Sequence, residues 1–259
     1  MSKIKLALHG ASGRMGETLQ ILLANDPHIE LLTMYPTATD TLGETASWLN
    51  SHAADIDVVL DFSLPEAFDS LIKSCRENNL ALVSGTTGLS VSQQRELESL
   101  AQKVAVFWSA NMSFGVAVMS QLVKQAAQLM DDSWDIEIFE AHHKFKKDAP
   151  SGTALLLGEM AAKGRGVKKE DVFQLQRSTA GVRRKGEIGF ASVRGGSEAG
   201  LHDVMFMVEG EQLSLSHKAS SREAFAAGAV RATHWLFGQS AGLYSMTDLI
   251  TALPKENNI

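Results

Sequence analysis

The sequence predicts an α/β chain: a Rossmann-like, doubly wound parallel sheet with a second α+β domain built on a mixed sheet. Three observations carry that prediction. Short apolar runs alternate with helix-spaced stretches from Ile4 to Trp108, the pattern of successive βαβ units. The first of those runs ends in a glycine-rich loop. From Trp134 onwards the apolar period becomes mostly two, which indicates a further sheet.

Ile4 to His9 is an apolar run that stops at Gly10 and reads as a buried strand. Leu19, Leu22 and Leu23 then give helical spacing over Gly16 to Ala24, closed near Asn25-Asp26-Pro27. Ile29 to Tyr35 is a second strand limited by Pro36, and Asp57 to Phe62 a third. Pro65 suits a first helical turn and opens the helix that continues over Ala67 to Glu77. Leu80 to Ser84 is a fourth strand. Ser90 and Gln93 have capping-box spacing ahead of a helix through Leu97 and Leu100. Val104 to Trp108 completes the series as a fifth strand.

Further along, Phe114 to Met130 is a long apolar helix and Trp134 to Glu140 a strand. Thr153 to Ala162 reads as a helix and Lys163 to Lys185 as a polar surface loop. Ile188 to Val193, His202 to Val208 and Gln212 to His217 are strands, the last two joined by a hairpin turn at Glu209-Gly210-Glu211. Ser221 to Leu236 returns to helix.

Composition narrows the function classes. With 259 residues, 44% hydrophobic and 21% charged, the chain is an ordinary globular one of one or two domains. Its formal charge of −6 makes nucleic acid an unsuitable general partner, and no apolar run approaches a membrane span. One cysteine, Cys75, excludes an intrachain disulfide framework and a Cys-rich zinc site; it reads as a helix-face packing residue. The N-terminus carries no signal-peptide pattern, so the expected location is cytoplasmic.

Two stretches carry chemistry. The loop Gly10-Ala11-Ser12-Gly13-Arg14-Met15-Gly16 lies between a strand and a helix, where glycines let a pyrophosphate approach the backbone and the helix start offers N–H groups. Its spacing is G-x-x-G-x-x-G, with Ser12 where the second glycine of the common fingerprint stands. The second strand ends in Met34-Tyr35-Pro36-Thr37, with no carboxylate for an adenosine ribose before Asp40. That removes a preference for NAD over NADP. Arg14 is either a 2′-phosphate partner or an exposed helix arginine.

The second stretch, Glu140 to Ala154, packs two imidazoles and three ammonium groups into His142, His143, Lys144, Lys146 and Lys147. His142 and Lys146, four apart, fall on one side of either backbone form. Clustered ammonium groups lower one another's pKa and make Lys146 a better proton donor, while His142 is a proton shuttle. Pro150-Ser151-Gly152-Thr153 opens a helix whose N–H groups, with the Ser151 and Thr153 hydroxyls, suit a carboxylate or phosphate. The set favours a small dianionic substrate over a solvated basic loop. No metal site is expected, since the eight histidines contain no zincin-type pattern.

On these residues the chain resembles the 4-hydroxy-tetrahydrodipicolinate reductase (dihydrodipicolinate reductase) family. The resemblance runs through Gly10 to Gly16, Asp61-Phe62-Ser63, Gly85 to Gly88, Asn111 to Val116, Glu140 to Ala154, Gly189 to Gly196, His217 to Arg222 and Gly242 to Met246. It implies NADPH- or NADH-dependent reduction of a cyclic dicarboxylate imine in the diaminopimelate route to lysine. By the match, His142 is the acid/base residue and Lys146 the proton donor. His143, Gly152 and Thr153 fall on substrate positions, beside the hydroxyl of Ser151. Gly10, Ala11, Ser12, Gly13, Arg14 and Met15 fall on cofactor positions, as do Gly85, Thr86 and Thr87, and Ser109, Ala110, Asn111 and Met112. The resemblance also implies a homotetramer and a division into a dinucleotide-binding domain, 1–112 plus 222–259, and a substrate-binding and oligomerisation domain, 113–221. Two departures stand out: the segment after the second strand is short and lacks the frequent acidic residue, and Met112 replaces a common aromatic. Two other readings remain at this stage, a different two-domain nicotinamide dehydrogenase acting on a semialdehyde or sugar, and a dinucleotide sensor. Closure of a hinge between the domains is a further expectation.

Overall fold

The computed structural model describes residues 3–33, 42–176 and 181–252. The chain forms two compact units, 1–114 with 222–259 and 115–221.

In the first unit, β1 (Ile4–His9) leads to α1 (Arg14–Ala24), β2 (Ile29–Thr33), α2 (Leu42–His52), a short 3-10 turn (Ala53–Asp55) and β3 (Val58–Asp61). Then come α3 (Pro65–Asn78), β4 (Ala81–Ser84), α4 (Val91–Ala101) and β5 (Ala105–Trp108). α5 (Phe114–Leu129) starts the passage to the second unit. That unit holds β6 (Asp135–His142), α6 (Gly152–Arg165), α7 (Lys169–Val172), β7 (Phe173–Gln174), β8 (Ile188–Arg194), β9 (Gly200–Val208) and β10 (Glu211–Ala219). The chain returns with α8 (Glu223–Leu236), β11 (Gly242–Tyr244) and α9 (Met246–Ala252).

The first sheet is parallel throughout, in the order β11-β5-β4-β3-β1-β2. Its strands are apolar on both faces because helices cover both: Leu6, Ala7, Leu8, Val58, Val59, Leu60, Leu82 and Val83 are all fully buried. Leu19 and Leu23 of α1, Phe68, Leu71 and Cys75 of α3, and Leu97 and Leu100 of α4 supply the covering layer. Burying each such leucine contributes roughly 1.5–3 kcal/mol. Cys75 has the packing role expected of it, and burial raises its thiol pKa. Chain order reverses direction across the sheet at β1, so the β1 and β3 ends flank a switch point, where open α/β sheets take ligands.

The second sheet is mixed, in the order β10-β9-β6-β8-β7. β6 pairs parallel with β8 and antiparallel with β9. Strict alternation along β6 turns Ile136, Ile138, Glu140 and His142 to one face. The first two join the core with Leu157, Ala161, Phe190, Val204 and Phe206. The last two continue that face past the apolar layer.

Three features depart from the sequence reading. The polar segment Lys163 to Lys185 is not a plain loop. α6 runs on to Arg165, and α7 and the two-residue β7 follow, because the Phe173 ring packs edge-on to Phe190 at 4.9 Å. α2, β11 and α9 lie where no element was assigned. The Ser221 helix begins at Glu223. Tyr35, Pro36 and Asp40, on which the cofactor-preference argument rests, lie outside the described residues. Among the described residues no helix is long and apolar enough to cross a membrane.

Candidate active site

At the carboxyl edge of the parallel sheet the register aligns His9 with Asp61, Asp61 with Ser84, and Ser84 with Trp108. Asp61 is fully buried at the centre of this row. Its Oδ1 meets His9 Nδ1 at 2.9 Å and accepts from Ser63 N at 3.1 Å. Its Oδ2 accepts from Ser84 Oγ at 2.7 Å and Thr86 Oγ1 at 2.8 Å. Burial alone would raise its pKa, yet the His9 bond and charge and the hydroxyl donors hold it below the usual range. The carboxylate thus ties together the segments that follow β1, β3 and β4.

The glycine loop is built against that row. Gly10 has φ +82°, and a Cβ there would lie 2.5 Å from the Phe62 carbonyl oxygen, so only glycine fits. A Cβ on Gly16 would meet the Gly10 and Ala11 carbonyls at 2.2 and 2.4 Å. Gly13 caps α1 without any side-chain hydrogen bond, and Ser12, Gly13 and Arg14 are exposed. Close backbone approach and a helix start without a side-chain cap are what a dinucleotide pyrophosphate requires. Gly85 faces the Phe62 ring, buried Thr86 accepts from Trp108 Nε1 through its carbonyl at 3.1 Å, and Thr87 is exposed. In the third predicted segment, Ser109 Oγ donates to the Asn111 carbonyl at 2.7 Å, and Asn111 Oδ1 accepts from Ser113 N at 2.8 Å. Ala110 is exposed, whereas Met112 is buried with its carbonyl against Gly228. The structure therefore brings the Gly10 and Gly85 segments together through Asp61 and Phe62.

In the second unit, the polar end of the β6 face forms another cluster. Cross-strand register sets Glu140 between Ser192 and His202, and His142 beside Arg194. Glu140 is buried. Its Oε2 meets His142 Nδ1 at 2.5 Å and Arg194 Nη1 at 2.8 Å. Its Oε1 accepts from Arg194 Nη2 at 2.7 Å and Ser151 N at 3.2 Å. Burial opposes the charge, but bonds from Arg194, Ser192 and His142 hold the carboxyl at about 2. Arg194 also donates to the Asp148 carbonyl, which anchors the loop ahead of α6.

His142 lies 8% exposed, edge-on to the His202 ring at 5.0 Å. Burial lowers its pKa, Glu140 raises it, and the charges of Lys146 and Arg194 lower it again. His202 is pushed down to about 4 by burial and by His142, and so stays neutral near pH 7. Lys146 pairs with Asp148 at 2.9 Å. Its immediate neighbour is therefore a carboxylate rather than the lysine cluster invoked from sequence. His143 follows the end of β6 and donates its N–H to the Glu198 carbonyl at 2.8 Å.

Ser151 caps α6: its Oγ accepts from Ala154 N at 3.2 Å and lies 3.2 Å from His202 Nε2. Its hydroxyl is buried and committed to these bonds. Gly152 is exposed with open space at its Cβ position, and Thr153 is half-buried. Among the described residues no group of three or more His, Cys, Asp or Glu side chains is arranged to hold a metal ion.

Sequence reasoning gave no individual site role to Asp61, Glu140, Arg194 or His202. Glu140 had a usable signal, since strand period two places it on the face of His142. Arg194 and His202 had none locally, because only pairing register brings them there.

Comparison with known proteins matches residues 4–112 to the family model for the dihydrodipicolinate reductase N-terminus and residues 115–250 to that for its C-terminus. A 4-hydroxy-tetrahydrodipicolinate reductase of Zymomonas mobilis is 44% identical, covering 96% of this chain and 98% of its own. One from Parvibaculum lavamentivorans is 42% identical, with coverage of 95% and 97%. A dipicolinate-bound dihydrodipicolinate reductase from Paenisporosarcina sp. TG-14 superposes with a TM-score of 0.75 at 25% identity, covering 94% of this chain and 97% of that one.

Proposed function

The chain belongs to the dihydrodipicolinate reductase family, and from that premise we propose that it reduces 4-hydroxy-tetrahydrodipicolinate to tetrahydrodipicolinate with NADH or NADPH. The net change adds a hydride and a proton to the cyclic dicarboxylate and releases water. The product serves lysine synthesis through diaminopimelate. The observation that carries this reading is the second-unit cluster: the buried Glu140 carboxylate bonds both His142 Nδ1 and the Ser151 N–H at the start of α6, which sets a titratable imidazole beside a helix start suited to an anion.

A bound nicotinamide would supply the hydride. The residues proposed to hold its dinucleotide are Gly10 to Met15, Gly85 to Thr87 and Ser109 to Met112. The Gly10 backbone and the start of α1 are the anion-binding part. Hydride arrival drives electron density towards the ring nitrogen, and His142 and Lys146 are the groups proposed to hold and deliver the proton. The Lys146–Asp148 pair is partly exposed, so it contributes at most about 1 kcal/mol and yields readily to a dicarboxylate. Gly152 and Thr153 at the start of α6, with His143, are proposed to take the carboxylates, and Ser151 shapes that start as its cap. The same reading includes a cytoplasmic homotetramer with 113–221 as the substrate-binding and assembly domain; the largely exposed face of β10 supports an assembly surface. Light scattering tests the oligomer.

The direct test follows NADPH and NADH oxidation by absorbance with freshly generated substrate. Wild-type turnover is expected to fall about 10²–10⁴-fold in His142→Ala and in Lys146→Ala. The ratio of the two cofactor rates measures preference. Absence of turnover with either cofactor, in folded protein that binds dinucleotide, sinks the reading and favours another dehydrogenase or a sensor.

A further inference from the structure

We propose that Glu140, clamped by Arg194, is a positioning residue that fixes the tautomer of His142, so that Nε2 is the nitrogen that exchanges the proton. The inference rests on the reductase reading for its kinetic consequence, but its structural half stands independently.

The geometry leaves one arrangement. Glu140 is ionised, because two guanidinium nitrogens and one backbone N–H already donate to it. An ionised carboxylate only accepts hydrogen bonds. His142 Nδ1, 2.5 Å from Oε2, must then carry a hydrogen. In neutral His142 the lone pair is left on Nε2. That nitrogen lies on the side of Gly200, where an added Cβ would approach it to 3.2 Å. A side chain at 200 would crowd the working nitrogen, and glycine keeps it clear.

Arg194 makes this arrangement durable. Its two nitrogens span both Glu140 oxygens, a planar match that a lysine point charge lacks. It also balances a carboxylate that is otherwise buried, and removing one partner of such a pair costs far more than the pair contributes. Through Oε1 and Ser151 N, the same carboxylate orients the first turn of α6. One side chain therefore sets both the imidazole and the helix start proposed to hold the substrate.

Glu140→Gln tests the tautomer directly. An amide has one acceptor oxygen. With the amide oxygen at the Oε1 position it keeps both Ser151 N and Arg194 Nη2, so the amide NH₂ turns to His142 Nδ1 as a donor, and Arg194 Nη1, the other donor at Oε2, has to draw back. The imidazole then has to shift its hydrogen to Nε2. The charged groups around the ring are Glu140 on its own strand, Arg194 on β8, and Lys146, with Asp148 beside it, in the following loop. His202 on β9, with His217 opposite it on β10, completes the surroundings.

The experiment is long-range ¹H–¹⁵N NMR on the full chain without substrate, with His142 assigned by its loss in His142→Gln. Wild type should show Nδ1–H above neutral pH, and Glu140→Gln should show Nε2–H. In turnover assays Glu140→Gln should lose about 100-fold or more in kcat with KM within about threefold. Its kcat–pH profile should move to lower pH, because the carboxylate that favours the imidazolium is gone. Arg194→Lys should lose about tenfold, between wild type and Glu140→Gln. Wild-type His142 found as Nε2–H overturns the proposal, whether or not any variant folds. So does a Glu140→Gln that keeps Nδ1–H and wild-type kcat. If wild type does not reduce the dicarboxylate, the reductase reading fails while the NMR result still decides the positioning role.

Discussion

Each unit of the molecule contains a buried carboxylate bonded to the Nδ1 of a histidine at a strand's carboxyl end, and the two pairs differ in everything around them. Asp61 and His9 are sealed, with side chains 0% and 1% exposed, and their other partners are hydroxyls and a backbone N–H of neighbouring segments. Glu140 and His142 keep the ring side chain 10% exposed, and a bidentate arginine balances the carboxylate. The first pair locks loops beneath the glycine turn. The second presents a ring whose protonation is set by its surroundings. A His–carboxylate contact is therefore not a mark of catalysis in itself. The exposure of the second nitrogen and the charge balance of the acid separate a fastener from a working group.

The sharpest way to break that distinction is a crossed pair of substitutions. His142→Ala should lose about 10²–10⁴-fold in turnover while its melting temperature stays near wild type. His9→Ala leaves the buried Asp61 carboxylate without its His9 Nδ1 hydrogen bond and should lose about 1–3 kcal/mol of stability by denaturant titration. If His9→Ala folds as well as wild type, or His142→Ala unfolds, the two pairs have been assigned the wrong way round.

Acid titration probes the second region more finely, because two of its buried groups titrate in different ranges. The folded pKa of His202 is depressed to about 4 from 6.5, so the unfolded chain binds the extra proton first and stability falls as pH drops between those values. The folded pKa of Glu140 is depressed to about 2 from 4.5, and its stabilisation is present above 4.5 and lost as pH falls towards 2. Denaturation midpoints at stepped pH should therefore decline in two overlapping stages. His202→Gln should flatten the upper stage, and a midpoint that stays level from pH 6.5 to 4 would contradict the assignment.

How much of this was legible in the sequence differs between the same two regions. In the first unit, β1 and β3 to β5 could be read because strands buried on both faces are continuous apolar runs. The Ser90–Gln93 capping box was visible and is present. α2 was not, since its apolar spacing is weak, and β11, three residues long, falls below any strand signal. In the second unit the stretch holding His142, Lys146 and Ser151 to Thr153 stood out because its polar residues are contiguous in the chain. The groups that tune it did not. Arg194 is 54 residues from Glu140 in the chain, and they meet only through the β6–β8 register. A chemical motif carried on one segment is legible, and a charge network assembled across strands is not.

The smallest expected effect contrasts two serine caps. Ser90 and Ser151 each accept a hydrogen bond from the third residue beyond them, Gln93 and Ala154, and satisfy one orphan N–H of a helix start. Removing either hydroxyl should cost about 1 kcal/mol of stability. Ser90→Ala should leave turnover untouched, because nothing in its capping box extends beyond α4 and the Pro65 carbonyl. Ser151 Oγ also lies against His202 Nε2, and its N–H is held by Glu140, so the hydroxyl joins the helix start to the His142 cluster. Ser151→Ala should therefore raise KM by severalfold at nearly unchanged kcat, since the loosened turn carries the proposed carboxylate site while His142 keeps its own hold on Glu140. Equal stability losses with a KM change in Ser151→Ala alone would show that one capping device serves only the fold in one unit and the ligand as well in the other. Equal kinetics in both variants would instead make the start of α6 a structural turn and move the carboxylate contacts to the side chains of His143 and Thr153.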